Sequence, residues 1–88
     1  MAKAKTQKVG KVGDEISIFI REDELNAKTA KAIYEFAKTN GYRLAIKLAQ
    51  RVAGADENGV MSNEALKAIN ALKEDDFIKA FELEIQGY

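Results

Sequence analysis

The chain has 88 residues, of which 47% are hydrophobic and 32% are charged, and its 14 Lys and Arg residues balance 14 Asp and Glu residues. This length allows one small domain that buries only about 60% of the surface of the unfolded chain. Because the sequence has no Cys and no His, it excludes disulfides, thiolate or imidazole metal sites, a cysteine nucleophile and a Ser-His-Asp triad. We predict no cofactor and no metal.

The net charge of zero hides an uneven distribution. Residues 1–13 contain four lysines and no acid, so the rest of the chain is acidic. We expect residues 1–15 to form a basic, flexible arm. Lysines without arginine or interleaved aromatic residues do not favour nucleic acid as its partner. The sequence predicts no membrane span and no secretory signal, which indicates a chain that is cytoplasmic as synthesised.

The next segment, residues 16–25, is apolar and then acidic. Its run Ile16-Ser17-Ile18-Phe19-Ile20 is typical of a strand, but no second strand is predicted to pair with it. We therefore expect an extended or strand-like arm that connects to the following domain. Two alternatives are the first turns of a helix and a pairing element in a homodimer. The candidate interaction residues are Ile16, Ile18, Phe19 and Ile20.

Residues 26–88 carry helical periodicity. Asn26 is a plausible N-cap for an amphipathic helix that ends near Gly41. The segment Arg43 to Ala53 is apolar over more than half of its circumference, so we expect it to be the central helix, ended by Gly54. Its narrow polar strip comprises Lys47, Gln50 and Arg51.

Two further helices follow an Asn-Gly turn at Asn58 and Gly59. We expect Val60 and Met61 to enter the core, and Ser62 to cap a third helix that runs through Leu72. A last helix is predicted to begin near Asp75 or Asp76 and to stop at Gly87. The fold class is therefore all-α, a compact bundle of about four short helices with the N-terminal arm attached.

Two acidic clusters, Asp56-Glu57-Asn58-Gly59 and Glu22-Asp23-Glu24, are candidates for metal binding or catalysis. If Gly59 occupied the invariant glycine position of an EF-hand, the first ligand would fall on Gly54, which has no side chain, so the calcium interpretation fails. The run Glu22-Asp23-Glu24 does not resemble the two carboxylates that a glycosidase holds across a cleft, and it is better explained as a solvated acidic linker or helix start.

The helical region resembles a known family. The segments Ile33–Gly41, Ala45–Gly54, Asn58–Ser62 and Ala65–Asn70 are similar to the C-terminal half of phage-type muramidases of glycoside hydrolase family 108, once labelled secretion activators. That pattern has an aromatic helix ending in N-x-G, an A-I-x-x-x-Q-R helix ending in Gly, a D/N-G-x-I-G turn and T-L-x-A-I. The matching residues are Asn40, Gly41, Ala45, Ile46, Gln50, Arg51, Gly54, Asn58, Gly59, Leu66, Ala68 and Ile69.

The chain departs from this pattern both in the catalytic region and in the third element. The family's catalytic glutamate lies upstream in an E-G-G type helix, and this chain has no Glu-Gly pair. Ser62 and Ala65 replace the usual Gly and Thr of the third element. The resemblance therefore implies a peptidoglycan-binding half without hydrolytic activity, so we predict that the chain is not an enzyme.

The resemblance implies peptidoglycan as a ligand. An amphipathic, anionic glycan would suit a shallow groove of amide, Arg and Tyr groups. The candidate glycan-binding residues are Asn40, Tyr42, Gln50, Arg51 and Asn58. The alternative is that the asparagines only shape turns, that the other polar groups are solvated, and that tyrosines border the core.

Two functions are therefore predicted. The first is a non-catalytic cell-wall glycan-binding module, whose contact with the wall would need holin-type or other non-classical export. The second is a prophage-encoded helical module that binds another phage or cell-wall protein, or a second copy of itself through the N-terminal arm.

Overall fold

A computed structural model describes residues 14–88 as one helical body with no strand among them. The predicted basic arm falls almost wholly on residues 1–13, which lie outside the described residues. The helices are α1 Asp14–Ile20, α2 Ala27–Asn40, α3 Tyr42–Ala53, α4 Asn63–Asn70 and α5 Glu74–Gln86, with a 3₁₀ turn at Glu22–Glu24. The all-α prediction is confirmed for the described part, which contains one α-helix more than expected.

The additional helix is α1, so the strand-like prediction for residues 16–20 was wrong and the alternative, the first turns of a helix, is confirmed. In a helix, Ile16 and Ile20 lie one turn apart on the same face. That face packs on α2 and α3, where Ile20 is fully buried and Ile16 is partly buried. A helix also satisfies its backbone hydrogen bonds locally, which an unpaired strand cannot do. The segment expected to connect the arm to the domain is therefore part of the packed body, and Leu25 at its end is also in the core.

The core lies between α3 and the helices around it. Helix α3 packs against α2, α4 and α5, as its wide apolar surface predicts. Phe77 and Phe81 of α5 are almost completely buried and stack on each other, with ring centroids 5.2 Å apart. Phe36 of α2 meets the Phe81 ring edge-on at 5.9 Å. Such aromatic pairs add packing energy to their buried area.

Helix ends follow local chemistry. Gly54 ends α3 in the left-handed conformation with φ of 76°, which glycine adopts at no steric cost. Ser62 caps α4, because its hydroxyl oxygen accepts a hydrogen bond from the Ala65 amide at 3.1 Å. Helix α4 ends at Asn70, two residues before the predicted end, and α5 begins at Glu74, one or two residues before the predicted start.

Contacts between distant segments hold the N-terminal part of α2. The Glu74 carboxylate accepts a hydrogen bond from the Lys28 amide at 2.7 Å, which places a negative charge at the positive end of α2. Asn70 accepts from the Asn26 amide at 2.9 Å and donates to the Glu24 carbonyl at 2.7 Å. None of the helices in residues 14–88 is both long and apolar enough to cross a bilayer.

Candidate functional site

The side chain of Gln50 organises the loop between α3 and α4. It is only 1% exposed, which corrects its predicted place on the polar strip of α3. Its amide nitrogen donates to Asn58 Oδ1 at 2.9 Å and to the Val60 carbonyl at 2.8 Å, and its Oε1 accepts from the Gly59 amide at 3.0 Å. Both donors of the side chain are therefore used inside the protein, which leaves none for a ligand.

The turn itself is closed by Asn58 and Gly59. Asn58 Oδ1 also accepts from the Val60 amide at 3.0 Å, the local bond typical of an Asx turn. Gly59 has φ of +77°, and a Cβ there would lie 2.7 Å from Arg43 Cγ. Both the backbone conformation and the close approach of α3 require glycine at this position.

Val60 was predicted to point into the core, and this was wrong. Its side chain is 55% exposed, while the neighbouring Met61 is buried as expected. The Val60 carbonyl is turned inward to Gln50, so the hydrogen bonding of the turn directs the backbone rather than the side chain of Val60 to the interior.

A cleft of about 430 Å³ opens between this loop and α4. Its polar lining includes carboxylate, amide and hydroxyl groups, and its apolar lining is formed by small side chains. The residues are Gln50, Ala55, Asp56, Asn58, Ser62, Glu64, Ala65 and Ala68. The volume falls within the range of small-molecule pockets. We call this site the loop–α4 cleft.

Arg51, the second polar candidate on α3, is held by two carboxylates. Its guanidinium donates to Glu57 at 2.9 and 3.1 Å and to Glu84 at 3.2 Å. The hydrogen bond to Glu57, followed by that to Glu84, raises the pKa of Arg51 above its ordinary value. Arg51 thus joins the loop to α5, and its charge is largely compensated.

The remaining glycan candidates lie apart from the cleft. The Asn40 amide is exposed at the end of α2 and donates to the Phe36 carbonyl at 3.3 Å. The Tyr42 ring stacks on Phe19 of α1, with centroids 4.3 Å apart and planes 4° from parallel. Of the five predicted residues, the structure therefore brings only Gln50 and Asn58 together in one cleft.

A second feature is apolar and lies on α1. Ile18 is 70% exposed and Phe19 is 47% exposed. Together with Val60 they line a groove of about 310 Å³, whose walls also include Tyr42 and Arg43. We call Ile18, Phe19 and Val60 the α1 face. Among the predicted interaction residues, Ile18 and Phe19 thus point outward, whereas Ile16 and Ile20 pack inward.

Arg21 connects α1 to the loop before α4. It adopts a left-handed backbone, with φ of 55°, which is uncommon for a residue with a Cβ. Its guanidinium donates two hydrogen bonds to the Glu24 carboxylate, at 2.9 and 3.0 Å, and one to the Met61 carbonyl at 3.1 Å. The hydrogen bond from Arg21 lowers the pKa of Glu24.

Comparisons with known proteins add no identification. No protein-family model matches the chain, and no curated protein matches it. Within residues 14–88, no group of three or more acidic side chains is placed to hold a metal ion.

Sequence reasoning missed several residues of these sites. It did not single out Arg21, because nothing in the local pattern marks it. Asp56 was considered only as part of a calcium loop and Glu64 only as an acidic residue in the first turn of a helix, and neither was predicted to bind glycan. The burial of Gln50 could have been predicted from the sequence. Gln50 follows the core residue Ile46 by one helical turn, so the two side chains lie on the same face of α3.

Proposed function

We propose that the chain is a non-catalytic module that binds the glycan of cell-wall peptidoglycan in the loop–α4 cleft. The supporting observation is the buried Gln50 side chain, which makes three hydrogen bonds to the turn that forms one wall of this cleft. Gln50, Asn58 and Gly59 are also among the residues on which the muramidase resemblance rests. The residues of the motif therefore build the cleft, and neighbouring side chains line it.

The chemistry of the lining suits a neutral sugar. Asp56 and Glu64 supply carboxylate oxygens that accept charge-assisted hydrogen bonds from hydroxyl and amide donors. Ala55, Ala65 and Ala68 supply an apolar surface for ring C–H groups and an acetamido methyl group. Carboxylates repel the acidic groups of the stem peptides, so we assign the cleft to the sugar strand.

This assignment differs from the sequence-based set of contact residues. Gln50 acts through the turn, and Arg51 is compensated by Glu57 and Glu84. The direct contacts we propose are Asp56, Asn58, Ser62 and Glu64.

Co-sedimentation with purified sacculi tests this function. We expect the full chain to sediment with the sacculi, and Glu64→Gln and Asp56→Asn each to weaken binding about tenfold, the size expected for one charge-assisted hydrogen bond. Glu82→Gln is the matched control, because Glu82 is exposed on α5 and outside the cleft. Binding no greater than that of a mixed-charge helical control protein would remove the cell-wall function.

The same preparation tests the absence of catalysis. We expect the turbidity of a cell-wall suspension to stay constant with the wild-type chain. A fall in turbidity that Glu64→Gln abolishes would show that the chain is an enzyme.

A second function, protein interaction, is favoured by the exposure of Ile18, Phe19 and Val60. Removing residues 1–20 is a poor test of it, because Ile20 is fully buried in the core. Substituting Ile18, which is mostly exposed, changes the surface and leaves the core intact. Loss of partner capture by Ile18→Ser, with the fold retained, would support this function, and unchanged capture would count against it.

A further inference from the structure

Helix α1 is apolar on both sides. Ile16 and Ile20 pack inward, while Ile18 and Phe19 face outward with Val60 beside them. Three large exposed apolar side chains gathered at one groove are therefore a candidate contact surface.

The α1 face is held in place from within. The three hydrogen bonds of Arg21 tie the end of α1 to Glu24 and to the Met61 carbonyl. The parallel stack of Phe19 on Tyr42 ties α1 to α3. A partner would therefore meet a largely preformed surface, which lowers the ordering cost of association.

Charges of opposite sign flank the α1 face. Ile18 borders two depressions, one lined by Glu22, Asp23 and Glu24, the other by Arg43 beside Val60. Arg21 lines both, but its charge is paired with Glu24. Asp23 and Arg43 are both exposed, and neither forms an ion pair with another residue of the described chain. The apolar centre thus has an acidic edge and a basic edge.

We infer that the α1 face binds a second copy of this chain in a two-fold symmetric dimer. A two-fold axis near Ile18 would place the acidic edge of each copy against the basic edge of the other, so that Asp23 meets Arg43 twice. A basic partner would leave Arg43 opposed by like charge, and an acidic partner would do the same to Asp23. A second copy places opposite charge against both Asp23 and Arg43. It is therefore the specific partner that we infer for the protein-interaction function.

The size of the α1 face sets the expected strength. Three apolar side chains fall short of the ~800 Å² per partner of a standard stable interface. We therefore expect a reversible dimer, with a Kd of about 10–100 μM. Dimerisation would present two loop–α4 clefts to one polymer, and such bivalence strengthens attachment without a new contact.

Sedimentation velocity of the full chain between about 5 and 500 μM tests the dimer. We expect the wild-type sedimentation coefficient to rise with concentration to that of a dimer, and Ile18→Ser to weaken association about tenfold or more. Leu83→Ser is the matched control, because Leu83 is 64% exposed on α5, away from the α1 face. A wild-type chain that stays monomeric, or a Leu83→Ser variant weakened as much as Ile18→Ser, would overturn the proposal.

A charge exchange tests the symmetric geometry. Asp23→Lys and Arg43→Glu should each weaken self-association about fivefold at low salt. An equimolar mixture of the two variants should associate more tightly than either alone, because one copy then has two basic edges and the other two acidic edges. A mixture no tighter than the single variants would refute the two-fold arrangement.

Failure of the dimer and failure of glycan binding are distinguishable. The Ile18→Ser variant should keep its helical circular dichroism and its intrinsic affinity for a soluble monovalent sugar fragment, while losing self-association. A loss of both properties with the fold intact would contradict the separation of the two surfaces.

Discussion

Replacing Gln50 by Leu should destabilise the protein by about 3 kcal/mol. The substitution keeps the size of the side chain but removes its three hydrogen bonds to Asn58, Gly59 and Val60, each worth about 1 kcal/mol net. The buried Gly59 amide would also lose its partner, at a cost of about 1–3 kcal/mol. The added apolar surface of Leu offsets about 1–2 kcal/mol of this loss.

Urea unfolding followed by far-ultraviolet circular dichroism measures the effect, since the chain has no Trp for fluorescence. With a urea dependence of about 1 kcal/mol per M, the midpoint should fall by about 3 M. Proteins of this size have a total stability of about 4–13 kcal/mol, so Gln50→Leu removes a large part of it. The exposed Gln86 provides the matched control, because Gln86→Leu should change stability by less than about 0.5 kcal/mol.

Gln50→Glu separates hydrogen bonding from packing. Burial should raise the pKa of the introduced carboxyl in the folded state, while the unfolded value stays ordinary. The folded state then binds more protons than the unfolded state, so the loss of stability should shrink as the pH falls. A Gln50→Leu protein as stable as the wild type, or a Gln50→Glu penalty that does not change with pH, would refute the role of Gln50 in holding the loop.

Two further predictions concern the turns and Arg21. In urea unfolding, Gly59→Ala should lower the free energy of unfolding by about 2–3 kcal/mol and Gly54→Ala by only about 1 kcal/mol. Both glycines have a left-handed backbone, but only at Gly59 would a Cβ clash with another residue, Arg43. Equal losses would show that the clash with Arg43 contributes nothing. In NMR titrations, Glu24 should show a lowered pKa that returns toward its ordinary value in Arg21→Gln. The small stabilisation from this ion pair is present above the pKa of Glu24 in the unfolded chain and should disappear as the pH falls through its pKa in the folded chain. An unchanged titration of Glu24 in the variant would contradict the pairing.

The parts of the fold that local chemistry determines were predictable. Gly54 ends a helix and Ser62 caps one because the relevant contacts lie within a few residues. The wide apolar surface of α3 likewise identifies it as the central helix. These positions follow from periodicity and capping preferences, which need no knowledge of the rest of the chain.

The misplaced parts depend on contacts distant in sequence. A five-residue apolar run is compatible with a strand or a helix, and the packing of Ile20 into the core decides in favour of the helix. Asn70 binds backbone atoms near residue 25, and Glu74 binds the Lys28 amide across 46 positions. No local sequence pattern contains such pairs, so these tertiary hydrogen bonds between helices could not be predicted.

The candidate site was predictable only in part, for a similar reason. The turn at Asn58 was expected, but the hydrogen bond that the buried Gln50 side chain donates to Asn58 was not. The same network turns Val60 outward, where it joins Ile18 and Phe19 on the α1 face. One buried amide therefore influences both proposed surfaces.

The most direct test of the proposed function is an amide NMR titration of the full chain with a soluble, uncrosslinked peptidoglycan sugar fragment. We predict that the largest chemical-shift changes fall on residues 55–62 and on the first turn of α4. Glu64→Gln should weaken the affinity measured from these changes about tenfold. An absence of saturable shifts, or shifts centred on the α1 face, would contradict glycan binding in the loop–α4 cleft.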